Sequence, residues 1–139
     1  MNKFFLTGPN RTGTTLLARC IDDHPNCVCL FETNVQVAMF GGFSSMGHSG
    51  RMNKIGFKKP QTLELLKQSK GFLDWYDKCA EIIKERLDKP NMTHIGDKNP
   101  YFHTNRDACI EMMQCPKIWT IRDPRSVWYS KQPGQYSPL

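Results

Sequence analysis

KFFLTGPNRTGTTLLARCIDDHP, residues 3–25, is the stretch that decides the fold. Lys3–Thr7 is a hydrophobic run of a strand's length, and Thr14–Ile21 has the composition of a helix that Asp22–Pro25 stops. A loop with glycines at both ends joins the two. Asn26–Phe31 then has the β-branched, aromatic and cysteine content of a second strand, arriving where a βαβ unit needs it. These residues predict the start of a parallel sheet.

The alternation of strands and helices continues along the chain. Phe40–Pro60 holds five of the ten glycines with several serines and lysines, and is predicted to be a long basic loop. The elements predicted after it are helices at Gln61–Ser69, Gly71–Leu87, Pro100–Gln114 and Pro124 to about Gln132, with strands at Met92–Gly96 and Lys117–Arg122. The fold class is therefore α/β, with a phosphate-loop type of parallel sheet between two helical layers in a three-layer sandwich.

Length and composition narrow the function classes. The 139 residues suit one domain, and the formal net charge is +6 with charges of both signs interspersed. No apolar run reaches the roughly 18 to 20 residues that cross a bilayer, and no signal peptide is visible. We therefore expect a cytoplasmic protein without a membrane span and with its six cysteines as free thiols. The basic residues are dispersed and no nucleic-acid motif is present, so we expect no nucleic-acid partner.

The loop itself has the GxxxxG frame of a phosphate loop. It reads GPNRTGTT over Gly8–Thr15, after a strand and at the start of a helix, where backbone N–H groups and the helix dipole favour an anion. Thr14 stands where nucleoside triphosphatases carry the lysine that reaches the β and γ phosphates, which argues against ATP chemistry. Arg11 and the hydroxyls of Thr14 and Thr15 suit a short tetrahedral anion. The alternative is an ordinary glycine turn with a solvated Arg11.

Two separated blocks resemble one known family. FFLTGPNRTGTTLLARCIDDHP is similar to the 5′-phosphosulfate loop and following helix of sulfotransferases that use 3′-phosphoadenosine 5′-phosphosulfate (PAPS), above all the tyrosylprotein and carbohydrate branches. TIRDPRSVWYSK, residues 120–131, resembles the 3′-phosphate motif of the same family. The resemblance implies that the donor is held by Arg11, Thr12, Gly13, Thr14 and Thr15 at one end and by Arg122 and Ser130 at the other. Arg122 at a strand end and Ser130 two turns into the next helix suit one phosphate.

Two further residues are implied in the chemistry. Glu32 follows the second strand in LFET, which is similar to the EET that supplies the catalytic base of tyrosylprotein sulfotransferases, and a carboxylate at the carboxyl edge of a parallel sheet is well placed for a ligand. Phe31 stands where that family has another glutamate, and Glu32 can also be a loop cap. Lys98 in GDKNPYF looks like the lysine that stabilises the transferring group in these enzymes. Its alternative is a surface lysine paired to Asp97.

The resemblance therefore implies an enzyme that moves the sulfuryl group of PAPS to a hydroxyl acceptor, releases adenosine 3′,5′-bisphosphate and needs no metal. Arg11, Glu32 and Lys98 are the candidate catalytic residues. The acceptor stays open among a tyrosyl peptide, a carbohydrate and a small alcohol, and so does the oligomeric state. Family domains usually continue beyond the equivalent of Leu139, so we expect residues 1–139 to be a single, partial sulfotransferase domain with its C-terminal part missing. A phosphate-loop nucleotide-binding protein or kinase, and an inactive sulfotransferase fragment, are the alternatives.

Overall fold

The computed structural model describes residues 1–35, 38–39, 57–100, 109–110, 112 and 114–132. Its centre is a four-stranded parallel sheet in the order β2-β3-β1-β4. The strands are β1 (Asn2–Thr7), β2 (Cys27–Phe31), β3 (His94–Lys98) and β4 (Lys117–Trp119). In register, Leu6 lies opposite both Lys98 of β3 and Ile118 of β4. All the strands therefore bring their carboxyl ends to one edge, as the α/β prediction required.

Four helices have their whole range within the described residues. They are α1 (Thr14–Asp22), α2 (Lys59–Lys67), α3 (Phe72–Arg86) and α4 (Pro124–Tyr129). At the start of α4, the side chain of Asp123 accepts the N–H of Arg125 at 2.8 Å and Pro124 takes the first turn, as predicted. No described helix has both the length and the apolar character needed to cross a membrane.

Strand alternation sends side chains to two separate cores. Phe5, Val28, Leu30 and Ile95 face α3, where the Phe5 ring stacks on that of Phe72 with centroids 5.4 Å apart. Phe4, Leu6 and Cys29 point to the other face, where they cover Ala18 of α1. Helices thus bury both faces of the sheet, which confirms the predicted layering.

The amphipathic helix predicted at Gly71–Leu87 is confirmed as α3. Its buried side chains follow the three-and-four spacing of one helix face: Phe72, Trp75, Tyr76, Cys79, Ala80 and Ile83. The helix predicted at 100–114 and the loop predicted at 40–60 fall largely outside the described residues. All six cysteines are free thiols.

Four predicted elements have bounds that are wrong by two residues or more. The helix predicted at Gln61–Ser69 is Lys59–Lys67, because Lys58 is its N-cap and Pro60 lies in its first turn. Lys59 and Pro60 therefore belong to this helix and not to the predicted loop.

The third strand is His94–Lys98 rather than Met92–Gly96, because the Met92 N–H closes a turn onto Lys89 O. The fourth strand ends at Trp119 rather than Arg122, since its partner β1 ends at Thr7, whose carbonyl accepts the Thr120 N–H.

The last helix ends at Tyr129 rather than near Gln132. The N–H groups of Lys131 and Gln132 bond to carbonyls three residues back, so the α-helical turn tightens and stops. Ser130 is therefore the C-cap of α4 and does not lie within it.

Candidate active site

The loop between β1 and α1 is held in a conformation that its sequence explains. Gly8, Arg11 and Gly13 have φ values of 149°, 74° and 92°, all on the left-handed side. At Gly8 a Cβ would lie 2.3 Å from Thr120 Oγ1, so the loop approaches the end of β4 more closely than any side chain allows. At Gly13 an added Cβ would meet nothing within 4 Å, which leaves open space at the start of α1. No helical turn precedes the first turn of α1, so the backbone N–H groups of that turn have no helical carbonyl to bond to.

Thr12 ties this loop to the C-terminal block. Its hydroxyl donates to Pro9 O at 2.7 Å and lies 2.6 Å from Thr120 Oγ1. The Thr12 backbone N–H also bonds to Pro9 O at 3.3 Å. The hydroxyl and the N–H of Thr12 are therefore both engaged in shaping the loop.

Arg122 reaches the same loop from the other block. Its Nη1 donates to the backbone carbonyl of Arg11 at 3.2 Å, which joins two residues 111 positions apart in sequence. Ser130, in contrast, donates its hydroxyl to Val127 O at 3.0 Å, at the end of its own helix. The structure thus brings Arg11 and Arg122 together, while Ser130 Oγ is occupied locally.

A cleft of about 390 Å³ opens at the carboxyl edge of the sheet beside this loop. Its lining brings together residues from the loop, α1, the ends of β2 and β3, and the segment after α4: Asn10, Arg11, Thr14, Thr15, Glu32, Lys98 and Lys131. Three cationic side chains and one carboxylate therefore share a single cleft. Arg122 and Thr12 line a neighbouring cavity of about 320 Å³, and Lys131 borders both spaces.

Glu32 and Lys98 meet directly in this cleft. The Lys98 ammonium donates to Glu32 Oε1, and the Glu32 backbone N–H bonds to Lys98 O at 2.8 Å. The side chain of Lys98 is only 7% exposed, whereas that of Glu32 is 45% exposed. The alternative of a surface lysine paired to Asp97 is wrong, because Asp97 and Lys98 are neighbours on a strand and point to opposite faces.

Behind the cleft, the sequence analysis missed a buried polar cluster. Asp97 is fully buried, and its Oδ2 accepts the hydroxyls of Thr33 at 2.5 Å and Tyr76 at 2.9 Å. Its Oδ1 has no hydrogen-bond partner among the described residues. Burial raises the pKa of Asp97 to about 6, the hydrogen bonds from Thr33 and Tyr76 lower it, and the charge of Glu32 raises it. Burial, with the Asp97 charge, also raises the pKa of Tyr76 well above its usual value.

A second missed residue, Lys131, lies inside the TIRDPRSVWYSK block. Its position directly after Ser130 was a usable signal, since the turn that caps α4 carries its side chain to the cleft.

A parallel α/β sheet with a phosphate-type loop after its first strand, and a basic cleft at its carboxyl edge, defines a class of proteins that bind phosphate-bearing ligands. Within that class, the family model for the sulfotransferase family matches residues 3–134. The chain belongs to the sulfotransferase family. No curated protein matches it.

Proposed function

We propose that the protein transfers the sulfuryl group of PAPS to a hydroxyl acceptor. The observation that carries this proposal is the cleft in which Arg11, Lys98 and Lys131 surround the Glu32 carboxylate beside the glycine loop. Family membership supports sulfuryl transfer in general. The donor, the acceptor class and the residue roles below are our proposal.

The cations of the cleft support PAPS as the donor. The ligand carries about four negative charges once its phosphates ionise, and the cleft offers cations on three elements. Its 5′ end would lie over the open space at Gly13, where backbone N–H groups of Gly13, Thr14 and Thr15 point outward at the helix start. The 3′-phosphate would lie on the Arg122 side, with Ser130 able to contribute only after its hydroxyl leaves Val127 O.

The transfer itself needs a base and positive charge at the sulfuryl oxygens. As the acceptor oxygen bonds to sulfur, the bond from sulfur to the 5′-phosphate oxygen breaks, and adenosine 3′,5′-bisphosphate leaves with the electron pair. Glu32 takes the acceptor's proton, while Arg11 and Lys98 stabilise the charge on the leaving and transferring groups. Lys98 exchanges its bond to Glu32 for a sulfuryl oxygen, which frees the carboxylate when the donor is in place. We assign no role to a metal ion.

Phosphoryl transfer is the runner-up. Thr14 lies buried at the position of the lysine that nucleoside triphosphatases use, and the cations of the cleft come from elsewhere in the chain. This arrangement favours a sulfuryl donor over ATP.

Titration calorimetry with adenosine 3′,5′-bisphosphate, and with ADP and magnesium, tests the donor. We expect Arg11→Ala and Arg122→Ala each to weaken bisphosphate binding about 10- to 100-fold, because each loses a charge-assisted bond to phosphate. Arg19→Ala is the matched control, since Arg19 is an exposed arginine in the last turn of α1 and does not line the cleft. Binding of magnesium ADP without binding of the bisphosphate would overturn the proposal.

Measurement of turnover tests whether Glu32 is the base. We expect Glu32→Gln to lower kcat for transfer from labelled PAPS by about 10²- to 10⁴-fold while bisphosphate affinity holds, because the group that accepts the acceptor's proton is lost. A panel of tyrosyl peptide, carbohydrate and small-alcohol acceptors identifies the acceptor class. An unchanged kcat in Glu32→Gln would remove Glu32 from the mechanism.

A further inference from the structure

We infer that Thr33, anchored on the buried carboxylate of Asp97, is a positioning residue that holds Glu32 in the cleft. The inference rests on the proposed function, in which Glu32 is the base. Neither Thr33 nor Asp97 lines the cleft, so both act through Glu32.

The backbone at Glu32 is in a conformation that needs support. Glu32 and Asn34 have φ values of 47° and 53°, so a left-handed residue stands on each side of Thr33. A side chain such as that of Glu32 rarely adopts this conformation, because its Cβ crowds the following carbonyl oxygen. Such backbone persists only where the surrounding structure fixes it.

Three of the bonds that support this turn come from the end of β3. The Glu32 N–H bonds to Lys98 O at 2.8 Å, Thr33 Oγ1 donates to Asp97 Oδ2 at 2.5 Å, and Asn99 Nδ2 donates to Asn34 Oδ1 at 2.8 Å. The middle bond is the only one of the three made to a buried charge, and hydrogen bonds to charged groups are the stronger kind.

The anchor for that bond is rigid. Asp97 and Thr33 are both 0% exposed, and the Tyr76 hydroxyl of α3 donates to the same carboxylate oxygen, 3.5 Å from Thr33 Oγ1. The Tyr76 ring packs edge-on against Phe72 and Trp75, with centroids 5.2 and 5.0 Å away. Thr33 therefore joins the Glu32 backbone to the interior of the domain.

Loss of the Thr33 anchor would change the position of the Glu32 side chain. The Glu32 side chain is 45% exposed, so packing alone does not set its direction. Turning the backbone at Thr33 would swing the Glu32 carboxylate away from Lys98 and from an acceptor hydroxyl in the cleft. A misplacement of about 1 Å can cost a catalyst on the order of 100-fold in rate.

The chain offers a matched pair of variants. Thr33→Val and Tyr76→Phe each remove one buried hydroxyl that donates to Asp97 Oδ2, but only Thr33 is bonded to Glu32 through the backbone. We expect Thr33→Val to lower kcat on the order of 10- to 100-fold with little change in KM for PAPS. We expect Tyr76→Phe to change kcat by less than about twofold at a similar loss in Tm. Thr33→Ser, which keeps the hydroxyl, should restore kcat.

A second readout does not depend on turnover. The rate at which Lys98 is acetylated, followed by mass spectrometry, reports how well the Glu32 carboxylate shields the Lys98 amine. Glu32→Gln is the positive control. We expect Thr33→Val to speed Lys98 labelling several-fold and Tyr76→Phe to leave it near wild type. If Thr33→Val does not fold, Thr33→Ala takes its place in both measurements.

The outcomes separate the two proposals. If the wild-type chain transfers sulfuryl groups to no acceptor, the proposed function fails, and Lys98 labelling still decides whether Thr33 positions Glu32. Equal losses of kcat in Thr33→Val and Tyr76→Phe, or Lys98 labelling unchanged by Thr33→Val, would overturn the positioning role.

Discussion

Replacing Asp97 by Asn changes how the stability of the domain depends on pH. Asp97 is a fully buried acid whose pKa burial raises from 3.8 to about 6. Asn keeps a carbonyl oxygen that accepts the hydroxyls of Thr33 and Tyr76, and it carries no charge. The variant therefore removes the titration and preserves the two hydrogen bonds.

The direction in which stability changes with pH follows from proton binding by Asp97. Because the pKa is raised in the folded state, the native protein binds more protons at this site than the unfolded chain between about pH 4 and 6. Wild-type stability then falls, relative to Asp97→Asn, as pH rises through that window. The full shift corresponds to about 3 kcal/mol, of which roughly 1 kcal/mol is lost between pH 5 and pH 8. The partnerless Oδ1 position receives an amide in Asp97→Asn, which adds a cost that does not vary with pH.

Urea denaturation of both proteins at pH 5, 6, 7 and 8 measures the difference in the free energy of unfolding. We expect this difference to move in favour of Asp97→Asn by roughly 1 kcal/mol from the lowest to the highest pH. Thr33→Val should move the window to higher pH, since the Thr33 hydrogen bond lowers the Asp97 pKa. A difference that is flat with pH, or one that moves in favour of the wild type as pH rises, would refute the reasoning.

Three glycine substitutions test the loop and the sheet. Gly8→Ala should destabilise the domain by about 1 to 3 kcal/mol and weaken bisphosphate binding, because its Cβ would lie 2.6 Å from Thr120 O. Gly13→Ala should destabilise it less, because Gly13 has a positive φ but no neighbour within 4 Å of the added Cβ. Equal losses of stability in urea denaturation would contradict this. Gly96→Ala should cost about 1 to 3 kcal/mol without a change in loop conformation, since its Cβ would lie 2.3 Å from the Phe4 ring, and unaltered thermal unfolding would show that the ring is not fixed there.

The fold could be predicted because its signals are local. Residues 3–25 carry a strand, a glycine loop and a helix in uninterrupted order, and the three-and-four spacing of α3 is complete within one helix. The predicted end of a strand was wrong where the neighbouring strand in the sheet decides that end. β4 ends where β1 ends, and the sequence around Trp119 holds no sign of where Thr7 lies.

The candidate cleft was predicted in part. Arg11, Thr14, Thr15, Glu32 and Lys98 all line it, because parallel strands deliver their ends to one edge. The pairing of Lys98 with Glu32 was not foreseen, since it joins residues 66 positions apart. Placing the third strand two residues early left Asp97 and Lys98 outside it, so the alternation that separates them could not be applied.

That alternation is what links the core of the domain to the cleft. At the end of β3, Asp97 points to the α3 face and Lys98 to the α1 face, so two adjacent residues serve different surroundings. Both are bonded to the turn after β2, Asp97 through Thr33 and Lys98 through Glu32. Because the buried side fixes the backbone and the open side holds the charge pair, a substitution in the core at Asp97 should reach the Glu32 carboxylate without touching any ligand. The dipeptide Asp97-Lys98 therefore joins the buried face of the sheet to the charge pair of the cleft through the turn after β2.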